Sequence, residues 1–132
     1  MLFVRKIVEE NVGNKEEDTV TELTELVQVK DAIDKLNGET ITGVVLERDK
    51  DNLMIIGGGK DNKYVVHAEV KGTMYVMANK FPITKPPAEV IVGGKKGTYE
   101  SKRVMGLSMV LEAAKHFGSR GALAQTFNWE SP

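Results

Sequence analysis

The sequence predicts an α+β fold: a twisted, mostly antiparallel β-sheet built from hairpins, with two α-helices packed on one of its faces. Two observations support this class. Apolar runs with alternating side chains follow one another at spacings of about ten residues, with polar turns between them, as in antiparallel sheets. Two other stretches place apolar residues at helical spacing. The length of 132 residues and the composition, 41% hydrophobic and 28% charged, predict that residues 1–132 form a single domain.

The N-terminal third is predicted to contain one strand and one helix. Residues 2–8, with the sequence LFVRKIV, alternate as expected of a short strand. A polar loop then leads to Thr19, which has Glu22 three residues further on, and this spacing predicts a capping box at a helix start. Apolar residues recur at helical spacing as far as Leu36, and Asn37-Gly38 predicts the end of this helix.

The middle of the chain is predicted to form a four-stranded meander. Its strands are expected at 40–48, 53–58, 63–70 and 74–79, with polar turns between them. Prolines in the next segment predict an irregular connection from Phe81 to Ala88.

The C-terminal part is predicted to contain a hairpin, a helix and a final strand. The hairpin is expected to turn at 93–97, with EVIVGG before the turn and TYESKRV at its end. The helix is expected over LSMVLEAAKHFG and is predicted to end at Gly118 or Gly121. Residues 125–130, QTFNWE, alternate and predict a short last strand. Its Trp129 is expected to anchor the core or to close the sheet, with the indole N–H bonded to an acceptor.

Two similar glycine-rich corners, IIGGGKDNKY at 55–64 and IVGGKKGTYE at 91–100, invite comparison with a phosphate-binding loop. Such a loop needs G-x-x-x-x-G-K followed by Ser or Thr, and a helix whose amino end faces the phosphate. Here Asp61 follows Lys60, and a strand is expected next. The dinucleotide pattern G-x-G-x-x-G also fails, because no βαβ unit follows. The glycines are therefore interpreted as hairpin corners that need positive φ or a bulge.

No catalytic, cofactor or metal site is predicted. His67 and His116 are the only histidines, and neither has partners at a recognisable spacing such as HExxH. The absence of cysteine excludes a disulfide framework and a thiolate zinc site. Two carboxylates could still act as acid and base, but nothing in the sequence selects two of them. We therefore expect that the protein is not an enzyme.

The net charge of −1 hides an uneven distribution. Acidic residues predominate between Glu9 and Glu25, whereas the later half of the chain is basic. Such clusters are most often solvated surface, and the other interpretation is contact with a partner of opposite charge. The basic half leaves open a nucleic-acid- or nucleotide-binding module, although the nearly neutral net charge and the few aromatic residues disfavour it. The residues of that alternative are Lys60, Lys95, Lys96, Lys102 and Arg103.

The stretch from Glu89 to Glu130 contains a recognisable series of features. They are a strand, a Gly-Gly turn, a second strand, a helix with Ala-Ala and a late Phe, a glycine loop and a terminal Trp-Glu. Its landmarks here are Gly93-Gly94, Ala113-Ala114, Phe117-Gly118 and Trp129-Glu130. This series resembles the C-terminal signature of the first-numbered immunity-protein family of bacterial polymorphic-toxin systems. The corner Gly57-Gly58-Gly59 with Tyr64 is similar to the middle section of that family, and residues 1–38 depart most from it.

The resemblance implies a non-enzymatic antitoxin in the cytoplasm of a toxin-producing bacterium. Such a protein binds the toxin domain of a cognate effector, often a nucleic-acid deaminase or nuclease, and blocks its active site or substrate groove. A toxin that acts on nucleic acid is expected to carry a basic groove, which acidic residues of the inhibitor can occupy. The candidate partner-binding residues are accordingly Glu16, Glu17, Asp18, Asp49, Asp51 and Asp61.

The N-terminal segment agrees with this location. Residues 1–10 begin with apolar side chains but carry four charged ones, so the segment is too short and too charged for a signal peptide or a membrane span. The partner implied by the resemblance is a toxin domain. No cofactor, no membrane and no direct contact with nucleic acid are expected.

Overall fold

The computed structural model describes residues 2–11, 18–81 and 84–132 of the chain. Within these residues the backbone forms nine β-strands and two α-helices, which confirms the predicted α+β class. In chain order the elements are β1 (Lys6–Asn11), β2 (Thr19–Glu22), α1 (Val27–Asp34), β3 (Ile41–Asp49), β4 (Asn52–Gly58), β5 (Tyr64–Val70), β6 (Thr73–Ala78), β7 (Ala88–Val92), β8 (Lys95–Tyr99), α2 (Leu107–Arg120) and β9 (Asn128–Glu130).

Seven strands form one antiparallel sheet in the order β2-β1-β3-β4-β5-β6-β9. The predicted meander corresponds to β3, β4, β5 and β6, each of which pairs with the next. Strands β7 and β8 form a separate two-stranded hairpin. The described residues between β6 and β7 form neither helix nor strand, as the prolines predict. The main sheet thus has two outer strands, β2 and β9.

Both helices pack on one face of the main sheet, as predicted. Leu46 and Ile56 project from this face and meet Ile33 of α1 and Phe117 of α2, and all four side chains are fully buried. Burial of a large aliphatic or aromatic side chain contributes about 1.5–3 kcal/mol to folding. Gly118 of α2 faces α1, and a Cβ atom built on it would lie 3.4 Å from Leu26. The two helices therefore pack against each other at Gly118, where an added Cβ would be in ordinary van der Waals contact.

The predicted capping box at Thr19 and Glu22 is wrong. These residues begin and end β2, which pairs with β1. The three successive β-branched residues at 19–21 favour an extended backbone, because their χ1 freedom is lost against a helical turn. Helix α1 begins only at Val27, and the Gln28 side chain accepts hydrogen bonds from backbone N–H groups just ahead of it.

Several predicted boundaries also shift. Helix α1 ends at Asp34, and the Asn37 side chain builds the next turn by accepting three backbone N–H bonds. Helix α2 ends before Gly121, whose φ of 71 confirms one of the two expected stops. Residues 101–103, which were expected to extend the hairpin strand, form a short 3₁₀ turn. The last strand begins at Asn128, later than predicted.

The hairpin β7–β8 packs on the sheet face opposite the helices. Val92 of β7 lies directly over Gly57 of β4, since a Cβ atom built on Gly57 would be 2.7 Å from the Val92 Cβ. At the hairpin turn, the Gly93 N–H donates to the Thr42 carbonyl at 3.2 Å, and the Gly94 N–H donates to the Thr42 hydroxyl at 2.8 Å. The hairpin therefore covers the end of this face that contains Gly57.

Candidate functional site

The first glycine corner is filled by the protein's own chain. Gly58 and Gly59 have φ values of 108 and 109. The Gly59 N–H donates to the Lys63 carbonyl at 3.0 Å, and a Cβ atom on Gly59 would lie 2.8 Å from the Asn37 backbone nitrogen. Gly93-Gly94, at the second corner, also has positive φ at both residues. Both corners are confirmed as hairpin geometry.

The predicted acidic contact residues do not form one site. Asp49 and Asp51 lie at the turn between β3 and β4, whereas Asp61 lies in the connection between β4 and β5. The length of β4 separates these two turns by roughly 20 Å, at ~3.4 Å per residue. Asp18 is exposed directly before β2, at the Asp61 end of the sheet. Glu16 and Glu17 lie outside the described residues.

Asp49 has a local role in its turn. Its carboxylate accepts hydrogen bonds from the Asp51 backbone N–H at 2.9 Å and from the Asn52 side chain at 3.1 Å. These bonds lower the pKa of Asp49. The negative charge there therefore stabilises the hairpin turn, whether or not a partner is bound.

The basic residues of the nucleic-acid alternative are largely engaged by carboxylates. Glu130 accepts hydrogen bonds from Lys102 at 3.2 Å and Arg103 at 3.3 Å, and these bonds lower the pKa of Glu130. Lys96 forms an ion pair with Glu89 at 3.1 Å. Lys60 and Lys95 are exposed. Three of the five cations are thus partly neutralised, which weakens their attraction for phosphate groups.

The sheet face opposite the helices, which we call the open face, presents three rows of side chains that run across the strands. Each row follows the antiparallel register, in which paired residues project to the same face. The row nearest hairpin β7–β8 contains Glu10, Gly43, Gly57 and Val65. The next row contains Val20, Val8, Val45, Ile55, His67, Val76 and Glu130. The third row contains Glu22, Lys6, Glu47, Leu53, Glu69 and Met74.

Four members of the second row, Val20, Val8, Val45 and Ile55, form what we call the apolar row. Val20 is 61% exposed, and the other three are half-buried. Three strand spacings of ~4.8 Å give the row a length of about 14 Å. At the far end of the same row, Val76 is buried. Within this row the uncovered apolar surface therefore lies over β2, β1, β3 and β4, while Met74 of the third row is 41% exposed on β6.

Acidic side chains border the apolar row on both sides. Glu22 and Glu47 lie on one side, where the Lys6 ammonium is 3.5 Å from the Glu47 carboxylate. Glu10 lies on the other side, and its pKa is raised by burial and by the nearby charge of Asp18. We call Glu10, Glu22 and Glu47 the acidic rim. Among the described residues, the border has three carboxylates and one ammonium group and is therefore negatively charged.

His67 lies in the same row, between Ile55 and Val76. Its ring meets the Tyr99 ring edge-on, with 6.3 Å between centroids. Burial and the nearby Arg103 charge lower the pKa of His67. The neighbours of His67 are thus the phenol ring of Tyr99 and the Arg103 cation. Among the described residues, no three His, Asp or Glu side chains are grouped so as to hold a metal ion.

Sequence reasoning missed the open face, although part of its signal was present. Lys6, Val8 and Glu10 alternate with Ile7 and Glu9, and this pattern predicts two different faces for β1. Both faces are partly apolar, so the pattern does not tell which one the helices cover. That choice depends on the positions of α1, α2 and the hairpin, which are tertiary features.

Comparison of the chain with protein-family models, with curated proteins and with solved structures gives no match. The similarity of residues 89–130 to an immunity-protein signature therefore stays a prediction. Neither α1 nor α2 has the length and apolar character needed to cross a membrane.

Proposed function

We propose that the protein is an immunity protein, which binds and neutralises a cognate toxin domain that acts on nucleic acid, and that it binds through its open face. The observation that carries the proposal is the apolar row bordered by the acidic rim. The resemblance of residues 89–130 to an immunity-protein signature supports the class of partner.

The arrangement of the open face is typical of a protein-binding surface. The centre of such an interface is apolar and loses its water on binding, while a polar border stays partly solvated. Val8, Val45 and Ile55 would form this centre, with Val20 extending it to the outer strand. An interface of this kind needs no catalytic group on the inhibitor.

The charge of the acidic rim supports a basic partner. A toxin that acts on nucleic acid binds a polyanion, so its substrate groove is expected to be rich in Lys and Arg. Carboxylates at the rim attract such a groove from a distance and can raise the association rate by ~10–10³. Occupation of the groove would exclude the nucleic acid and so block the toxin.

Co-expression in a bacterial host tests the proposal directly. The probe is the toxin domain encoded beside this gene, produced with and without the protein. We expect cells to survive only when the protein is present, and purified protein to bind the toxin domain in competition with nucleic acid. Equal killing with and without the protein would overturn the proposal.

A matched pair of charge reversals tests the surface. Glu22→Lys alters the acidic rim, whereas Glu112→Lys makes the same change at an exposed position of α2. Rim charges act mainly on association, so Glu22→Lys should slow association and Glu112→Lys should not. The deficit should shrink as salt screens the charges. Equal rates for the two variants would remove the open face from the proposal.

A further inference from the structure

The two outer strands of the main sheet differ in how they are held. Strand β9 has three residues, and Glu130 ties it to Lys102 and Arg103 through hydrogen bonds of 3.2 and 3.3 Å. Trp129, on the same strand, donates its indole N–H at 3.0 Å to the Ala124 carbonyl in the connection between α2 and β9. Strand β2 has four residues, of which three are exposed. The β2 edge is therefore the more accessible one.

In its own four residues, strand β2 has none of the sequence features that usually prevent edge pairing. Outer strands are commonly blunted by proline, by lysine, by a bulge or by a covering segment. The sequence of β2 is TVTE, and its pairing with β1 is regular from Glu22 to Thr19. In the part of the chain that the structure describes, β1 is the only strand paired with β2. Leu23, directly after β2, donates its N–H to the Arg5 carbonyl at 2.8 Å, so Val20 and Glu22 direct their backbone groups outward. The Glu22 carbonyl accepts a hydrogen bond from the Gln28 side chain at 3.4 Å. The Val20 N–H and C=O and the Glu22 N–H are thus positioned to pair with another chain.

A cleft lies beside β2 on the helix face. It has a volume of about 180 Å³ and is lined by Ile7, Thr21, Gln28, Asp31 and Ala32, among others. Paired residues on neighbouring strands project to the same face. A residue opposite Thr21 on an added strand would therefore project towards this cleft, and the adjacent residue would lie beside Val20 on the open face.

We propose that the toxin domain adds a β-strand to the outer edge of β2 and places one side chain of that strand in the cleft. Strand addition obtains affinity from main-chain hydrogen bonds and specificity from pockets for alternate side chains. The cleft supplies such a pocket on one face, and Val20 supplies an apolar contact on the other. This inference rests on the proposed function, because the toxin domain provides the strand.

The charges around β2 define the chemistry of the added strand. Glu9, Asp31 and Lys35 line the cleft, and the Lys35 ammonium pairs with the Glu9 carboxylate at 3.1 Å. With two carboxylates and one ammonium group the cleft is negatively charged, and Asp18 and Glu22 lie at the two ends of β2. A basic side chain in the cleft and an apolar one beside Val20 fit these surroundings. Antiparallel pairing of β2 with a second copy of itself would instead bring like-charged Asp18 and Glu22 groups together. The edge therefore fits a basic toxin strand better than a second copy.

Amide hydrogen exchange tests the added strand. Isotope-labelled protein is measured by NMR alone and with the unlabelled toxin domain. Alternate residues of a strand direct their N–H groups to opposite sides, so alternate amides of Thr19–Glu22 should exchange at least about tenfold more slowly in the complex. Slowing that grows with protein concentration in the absence of toxin would assign the edge to a second copy and overturn the proposal.

A matched pair of substitutions tests the cleft. Thr21→Lys fills it with a cation, whereas Thr98→Lys makes the same change at an exposed position of β8. We expect Thr21→Lys to weaken toxin binding about tenfold or more, and Thr98→Lys to bind like the wild type. The wild type can bind the toxin domain while the amides of β2 exchange as fast as before and Thr21→Lys keeps wild-type affinity. In that case strand addition is wrong and the proposed function stands. If the wild type does not bind, the proposed function itself is wrong.

Discussion

Val92 of the β7–β8 hairpin packs directly on the backbone of Gly57 in the main sheet. A Cβ atom built on Gly57 would lie 2.6 Å from the Val92 Cγ1 and 2.7 Å from its Cβ. Real Cβ atoms do not approach so closely, so the contact depends on the missing side chain. Gly57, which belongs to the corner compared with a phosphate-binding loop, is therefore the position on which the hairpin packs.

Gly57→Ala should destabilise the protein by about 1–3 kcal/mol, because overpacking forces stiff neighbours to move. Val92 is β-branched, so its restricted χ1 angle prevents the side chain from rotating away from the added methyl group. Gly43→Ala is the matched control: Gly43 pairs with Gly57, but its nearest neighbour is the flexible end of Glu10. Urea denaturation of both variants measures the difference. Equal loss in the two variants would show that the Val92 contact is not the cause.

The sequence predicts this fold better than it predicts the packing between its parts. The alternation of β3 to β6 and the helical spacing in α2 are local patterns, and these elements form where expected. The position of hairpin β7–β8 over Gly57 is not encoded by any local pattern, since it joins residues 35 positions apart. At Thr19–Glu22 a local signal was present but misleading. Pairing with β1 and the β-branched residues outweighed the capping pattern.

Trp129→Phe should cost about 1 kcal/mol, the usual contribution of one hydrogen bond. The phenyl ring keeps most of the contact with the core, but the N–H bond to the Ala124 carbonyl at 3.0 Å is lost. Denaturation followed by circular dichroism measures the change, because the substitution removes the only tryptophan fluorophore. A variant as stable as the wild type would show that this bond does not hold β9 in place.

Of the candidate site, the sequence predicted only the negative charge and not the residues that share the surface. Acidity near the N-terminus was visible in the sequence, but Glu47 belongs to β3 and reaches the acidic rim through pairing with Lys6 of β1. The predicted Asp49 and Asp61 lie at opposite ends of β4. Which carboxylates share a surface is thus decided by strand register, which a list of charged residues does not contain.

Glu10→Gln should make the free protein more stable at neutral pH. Burial and Asp18 raise the pKa of Glu10 above its usual value of 4.5, so its ionised form is disfavoured in the folded state. The wild type should gain stability as pH falls through the raised pKa towards 4.5, and the difference from the variant should shrink there. Thermal unfolding across this range measures the effect. Glu112→Gln, at an exposed position of α2, serves as the control.

A toxin cation that binds next to Glu10 would reverse this penalty. The positive charge would favour the ionised carboxylate, so Glu10→Gln should weaken toxin binding while it stabilises the free protein. Opposite signs for stability and affinity would locate a partner cation at Glu10. If the variant gains stability and keeps full affinity, Glu10 does not contact the partner.

His67 should make the stability of the protein sensitive to mild acid. Burial and Arg103 lower its pKa from the usual 6.5, so the unfolded chain binds a proton at a pH where the folded protein does not. Stability should therefore be full above pH 6.5 and fall as the pH decreases towards the lowered pKa. Urea denaturation from about pH 7.5 to about pH 5.5 should show this slope in the wild type and in His116→Gln, and a smaller slope in His67→Gln. If stability depends on pH equally in both histidine variants, burial and Arg103 do not disfavour the protonated form of His67 in the folded protein.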